Sequence, residues 1–304
     1  MSWLSRLFSR QPAQQAGPRP AAAAVSTAAA PQAPGDDTLP LQPQALVPWL
    51  LSVQDELPAA LQPGEAQALA VLDEILAQPK LPPGLLPRAA AVVPQLIAML
   101  RQEDLPIPAL AQRIGKDPAI AAEVLRLATS SYYQAQGPVN DLAQAIMRLG
   151  NAGLQSAIAR VVLRPLYSAQ AGKLSTRVAG RLWDHSDALS GHVAVAAQQA
   201  GLGAFDGFLA GLLHDSGWTV LFHALDRAGQ DLAPVPSAEA VAQLDLRAHR
   251  LFGLAAGQWD ITPGFAALAA DARRVPLATS TLPLAQALRA SQHRALLDLQ
   301  AGAR

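Results

Sequence analysis

An adjacent histidine and aspartate, His214 and Asp215, form the pair in this chain whose types and spacing could do chemistry. They close the apolar, small-residue run Leu209-Ala-Gly-Leu-Leu-His-Asp-Ser-Gly217. An imidazole and a carboxylate side by side at a helix end can hold a divalent ion. The same two groups can instead form a hydrogen-bonded pair that caps a buried helix. The first reading leads to a metal-dependent hydrolase, the second to a protein that keeps only the shape of one.

Other chemistries find little support. The chain has no cysteine, which excludes disulfides, thiolate metal sites and a Cys nucleophile. Gly150-Asn-Ala-Gly153 is too short for a phosphate loop and ends a helix. Ser186 and Ser216 stand beside His185 and Asp215, but neither lies in the strand–turn–helix elbow that a serine nucleophile needs. His223 and His293 belong to no motif. Formal net charge is zero and the charged residues scatter singly, so nothing electrostatic recruits nucleic acid.

Helices must position the pair. Hydrophobic residues make up 51% of the 304 residues and charged residues 15%, with Ala and Leu dominant. Such a balance favours helix, because Ala and Leu lose little on entering one. The apolar spacing predicts a helix over 65–76 and one carrying Val92, Leu96 and Leu100. A short helix through Ile107, Leu110 and Ile114 follows. Asp117-Pro118 reads as an N-cap with proline in the first turn, and its helix carries Ile120, Val124 and Leu127. Asn140 or Asp141 caps a helix through Leu142, Ile146 and Leu149 that Gly150 stops. A further stretch runs through Ile158 to Pro165. The longest helix covers 175–200, with His185 and His192 seven residues apart on one face. Helices over 205–213, 218–225, 238–258, 264–272 and 283–299 complete the set. Gly207 and Gly211 inside a helix imply close backbone packing, since each costs about 1 kcal/mol against Ala. No alternating pattern is long enough for a sheet. The expected class is all-α.

The N-terminal part differs. In residues 1–10, Trp3, Leu4, Leu7 and Phe8 share one helical face, as in a foot that rests on a membrane surface or a partner. Residues 11–35 hold ten Ala and five Pro with a single charge, Arg19. That composition buries too little to offset its chain entropy and reads as a disordered tether. The expected organisation is a short amphipathic segment at 1–10, a disordered Ala/Pro-rich linker at 11–60 and a helical domain at 61–304. No apolar run reaches the roughly 20 residues of a membrane-spanning helix, and no signal-peptide core is present. A cytoplasmic location is the default expectation.

Four segments together resemble the HDOD (HD-related output domain) family. They are Lys116-Asp-Pro-Ala-Ile-Ala-Ala-Glu-Val-Leu-Arg-Leu-Ala-Thr-Ser-Ser-Tyr-Tyr133, Pro138-Val-Asn-Asp-Leu-Ala-Gln-Ala-Ile-Met-Arg-Leu-Gly150, Leu182-Trp-Asp-His-Ser186 and Leu209–Gly217. They occur in the family's order and span roughly residues 80–270. The resemblance implies a helical bundle related to HD phosphohydrolases, in a family of bacterial signalling and regulatory modules regarded as lacking the catalytic set. It also implies that His185 matches the first metal-binding His of catalytic HD relatives, and His214 with Asp215 their His–Asp pair. The separation of 29 residues from His185 to His214 suits two neighbouring antiparallel helices.

Downstream the likeness thins. His249-Arg-Leu-Phe-Gly253 resembles the family's His-x-x-x-Gly element and Trp259 its following Trp. Asp271-Ala-Arg273 stands where metal-dependent cyclic-dinucleotide relatives carry a His pair. Leu288-Arg-Ala-Ser-Gln-His293 stands where the last helix would supply a fourth-ligand Asp, and Asp298 comes too late. Trp218 follows Gly217 where catalytic relatives often carry a basic residue. The sequence therefore points to a non-catalytic HDOD-type regulatory protein that needs no cofactor and acts through protein partners. The alternative is a metal-dependent phosphohydrolase, acting on a nucleotide or cyclic dinucleotide, with His185, His214 and Asp215 on a divalent ion.

Overall fold

The computed structural model describes residues 46–86, 111–112, 114–129, 138–168, 172–257, 259 and 261–302. The amphipathic foot with Trp3, Leu4, Leu7 and Phe8, and the tether as far as residue 45, lie outside the described residues. So do the helix expected around Val92 and most of the one expected around Ile107.

The described elements are α-helices joined by turns, with two short 3₁₀ segments, and no strand occurs among the described residues. In chain order they are α1 (Leu46–Leu50), α2 (Pro63–Leu76), α3 (Pro118–Ala128), α4 (Leu142–Leu163) and α5 (Lys173–Gln199). There follow α6 (Ala204–His214), α7 (Ser216–Arg227), α8 (Ala238–Ala256), α9 (Pro263–Ala272) and α10 (Pro283–Gly302). The chain is all-α.

Local signals set several boundaries where the sequence places them. Asp117 accepts from the backbone N–H of Ala119 and Ile120 at 2.9 and 3.1 Å, with Pro118 in the first turn of α3. Asp141, rather than Asn140, caps α4 by accepting from the Gln144 N–H at 2.7 Å. Gly150 leaves the helical region (φ 63°), so α4 is broken there and resumes. Its second half reaches Leu163, because Leu154, Ile158 and Val162 are buried at helical spacing.

One boundary moves. Residues 46–60 were expected to belong to the linker, yet Leu46–Leu50 is helical, and Val47, Leu50 and Leu51 are fully buried. The prolines that suggest a linker, Pro43 and Pro48, do not prevent this. Proline at the start of a short helix lacks only an N–H that would have no partner there.

The long helix α5 is the centre of the body, and α6, α7 and α10 all pack on it. Its contact with α6 is close enough to demand glycine. A Cβ on Gly207 would lie 2.6 Å from the Val193 carbonyl oxygen, and one on Gly211 would lie 2.7 Å from Ser190 Cα. Across the molecule, α7 and α8 form a second tight seam, with α9 on the far side of α8. Trp218 and Phe222 stack on each other along α7, and Phe252 of α8 meets Phe265 of α9 edge-on, all four essentially buried. The start of α5 lies beside α7. There Asp226 accepts from the N–H groups of Leu174 and Ser175 at 3.0 and 2.9 Å and from the Ser175 hydroxyl at 2.6 Å. Since Gly172 at the N-cap has no side chain to offer, α7 supplies the cap of α5.

Candidate functional site

Asp215 sits at the joint between α6 and α7, where His214 is the last residue of one helix and Ser216 the first of the next. The joint is tight because Gly217 follows: a Cβ there would meet the Ala248 carbonyl oxygen at 2.0 Å. This seats the joint directly against the backbone of α8. His185 reaches the same point from the middle of α5.

The three residues meet, but on one another. His185 Nδ1 lies 2.6 Å from Asp215 Oδ2, and the Ser186 hydroxyl donates to the same oxygen at 3.0 Å. His214 Nδ1 lies 3.4 Å from Asp215 Oδ1. The other His214 nitrogen, Nε2, is 3.1 Å from His249 Nδ1 on α8. His185 and His214 thus each present Nδ1 to the carboxylate, and one hydrogen bond links His214 Nε2 to His249 Nδ1. His185, His214, Asp215 and His249 are each at most 4% exposed. Phe252 covers His214 with ring centroids 5.2 Å apart, and Trp49 of α1 lies over His185 at 6.4 Å.

The electrostatics follow from this enclosure. Burial by itself would raise the Asp215 carboxyl, but the charge and hydrogen bond of His185, joined by those of His214, hold it well below the usual carboxylate range. Asp245 stands one turn before His249 on α8. Burial pushes its carboxyl up to about 6, with His214 opposing the shift and the Asp215 charge adding to it. His249 is lowered to about 3, first by burial and then by His214. The Tyr167 hydroxyl, raised by burial and by the Asp215 charge, donates to the Leu212 carbonyl at 2.5 Å.

His185, His214 and Asp215, the three residues matched to a metal site, face one another. Each imidazole meets the carboxylate directly, and no three His, Asp or Glu side chains among the described residues are grouped to hold a metal. The more distant candidates are engaged elsewhere. Asp271 accepts from the Ser280 hydroxyl at 2.5 Å, and Asp298 pairs with His192 at 2.8 Å on the surface between α5 and α10. His192 is thus seven residues from His185 yet takes no part in the centre. His223 donates from Nδ1–H to the Leu85 carbonyl, 3.0 Å away, which makes Nδ1 the protonated nitrogen.

His249 and Asp245 were not singled out by sequence as members of the centre. The sequence marked His249 only as the start of the His-x-x-x-Gly element ending at Gly253, and Asp245 stands four residues before it on the same helix. What the sequence lacked was the seam that turns this face of α8 toward His214.

An all-helical bundle with a buried His–Asp joint between two successive helices defines a protein of the HD-related helical class. The model of the HDOD domain matches residues 86–258, more than half of the chain, and the chain belongs to the HDOD family. Solved structures agree on the fold. An HDOD domain protein of unknown function from Geobacter sulfurreducens is 19% identical with a TM-score of 0.51, covering 75% of this chain and 78% of its own. A Shewanella amazonensis protein named as a candidate metal-dependent phosphohydrolase is 20% identical with a TM-score of 0.53, covering 76% and 82%. At these identities the likeness concerns the fold. No curated protein matches the chain significantly. No helix among the described residues is long and apolar enough to cross a membrane.

Proposed function

We propose that this HDOD protein is a non-catalytic regulatory module that works through protein contacts. The observation that carries the reading is the closure of the His–Asp centre on itself. Both Asp215 oxygens face imidazoles, the group is fully buried, and among the described residues no arginine or lysine forms a hydrogen bond or ion pair with it. A phosphohydrolase needs open ligand positions for substrate and water beside its ions, and positive charge for the phosphate. Here the same residue types join α5, α6, α7 and α8 into one body. A buried pair of this kind stabilises only when both partners remain, which makes it a structural joint rather than a reactive group.

The test combines metal analysis with turnover. The purified full chain is expected to carry no stoichiometric transition metal, and to hydrolyse neither a nitrophenyl phosphodiester nor nucleotides in Mn or Mg. Stoichiometric metal with turnover that Asp215→Asn abolishes would establish the alternative, a metal-dependent phosphohydrolase using His185, His214 and Asp215.

A further inference from the structure

A cleft of about 280 Å³ lies between α3, the end of α4 with the 3₁₀ turn that follows it, and the middle of α5. Small-molecule sites run from roughly 300 to 1,000 Å³, so the occupant that this cleft fits is a small one. Most of its charges pair with one another. Arg126 donates to both Glu123 oxygens, at 2.6 and 2.8 Å, and Arg160 donates to Asp187. Arg126 also stands 3.8 Å from Asp187.

Two opposite charges in the cleft remain. Arg164, at the start of the 3₁₀ turn, lies over the Trp183 ring at 5.5 Å. Among the described residues, its guanidinium makes no hydrogen bond or ion pair, and neither does the Asp184 carboxyl. Burial and then the charge of Asp187 raise that carboxyl, against the opposing pull of Arg164. Arg164 and Asp184 thus line one cleft and feel each other's charge, yet do not meet as a pair.

The apolar part of the lining is anchored. Trp183 packs on Tyr167 with ring centroids 5.9 Å apart, and the Tyr167 hydroxyl donates to the Leu212 carbonyl of α6. Val161 adds a second apolar surface. Single charged side chains on a protein surface are ordinary. Here a cation and an anion without partners share a cavity that has a fixed aromatic wall.

We infer that this cleft is a binding site for a small zwitterion of the α-amino acid class, with its carboxylate on Arg164, its ammonium on Asp184 and an apolar side chain against Trp183 and Val161. A guanidinium suits the first role because its planar fork matches a carboxylate in two parallel hydrogen bonds. An ammonium suits the second because it offsets the negative charge that Asp184 shares with Asp187. A ligand with one charge meets only half of the site. The cleft shares no residue with the His–Asp centre, so the inference goes beyond the non-catalytic reading and stands apart from its fate.

The test is isothermal titration calorimetry of the full chain with L-leucine, 4-methylpentanoate and isopentylamine. On one carbon skeleton these present both charges, the carboxylate alone and the ammonium alone. Leucine is expected to bind with Kd below about 1 mM, and each single-charge analogue at least about tenfold more weakly. Arg164→Gln and Asp184→Asn are each expected to weaken leucine by about tenfold or more. Both side chains are exposed, so the variants are expected to fold, which circular dichroism verifies. Arg164→Lys keeps the charge and loses the fork, and its affinity is expected to fall between those of the unaltered chain and Arg164→Gln. No binding of leucine at about 10 mM, equal binding of either single-charge analogue, or leucine binding that either neutral substitution leaves unchanged would overturn the proposal.

Discussion

His185 Nδ1 lies 2.6 Å from Asp215 Oδ2 and so ties the middle of α5 to the joint of α6 and α7. With both groups almost fully buried, removing one strands the other. His185→Ala is expected to destabilise the chain by about 3–5 kcal/mol, because a buried carboxylate loses its principal partner. Asp215→Asn, which removes the charge and keeps the shape, is expected to cost less, about 1–3 kcal/mol. Urea unfolding followed by circular dichroism checks the order of the two. A larger loss for Asp215→Asn would contradict it.

Asp245 yields a prediction of opposite sign. Its folded carboxyl, at about 6, binds a proton more tightly than the unfolded one, so its contribution to stability falls as pH rises from about 4 to 6. Asp245→Asn is therefore expected to leave stability nearly unchanged at pH 4. Above pH 6 it should raise stability by up to about 3 kcal/mol. Asp215 behaves conversely. Its lowered carboxyl contributes stability that is present above the unfolded value near 4 and lost as pH falls below it. Unfolding midpoints of the wild type and both Asn variants from pH 3 to 8 separate the two effects.

The α7–α8 seam predicts a sharp contrast between glycines. Gly217→Ala would place a Cβ 2.0 Å from the Ala248 carbonyl oxygen and 2.8 Å from the Phe252 nitrogen. Both are backbone atoms of a buried helix, so relief requires moving α8. A loss of about 3 kcal/mol or more is expected. Gly180, inside α5, has nothing within 4 Å of a built Cβ, and Gly180→Ala is expected to stabilise by about 0.5–1 kcal/mol. Thermal unfolding of the two variants is the comparison.

Two acids act as long-range caps. Glu65 is buried and accepts from the Ser237 N–H at 2.8 Å and hydroxyl at 2.6 Å, as well as from the Gln62 N–H at 2.8 Å. It thereby ties the start of α2 to that of α8. Asp226 does the same for α5. Glu65→Ala and Asp226→Ala are each expected to cost about 2–3 kcal/mol, the worth of bonds to a charged acceptor. Amide exchange should quicken locally, at Ser237 in the first and at Leu174 and Ser175 in the second. Unchanged exchange at those amides would argue against capping.

Much of the architecture is written locally. Asp117-Pro118, Asp141 and Thr262-Pro263 start helices because a side-chain oxygen reaches an N–H two or three residues on, and Gly150 interrupts one by its left-handed backbone. The apolar spacing of Leu182 and Leu189 buries the right face of α5. The neighbouring His214 and Asp215 announce a centre, and the four family segments announce its fold. Each of these signals acts within about two helical turns, so sequence alone carries it. Tertiary structure decided how the centre is arranged. Which atoms of His185, His214 and Asp215 face one another, that His249 joins them from 35 residues further on, and that Asp271 and Asp298 stay away all depend on how α5, α6 and α8 pack. The same holds for α1, whose five residues have no helical tendency of their own that could reveal them. They fold because a groove and two arginines, Arg177 and Arg181, 126 or more residues away, hold them there.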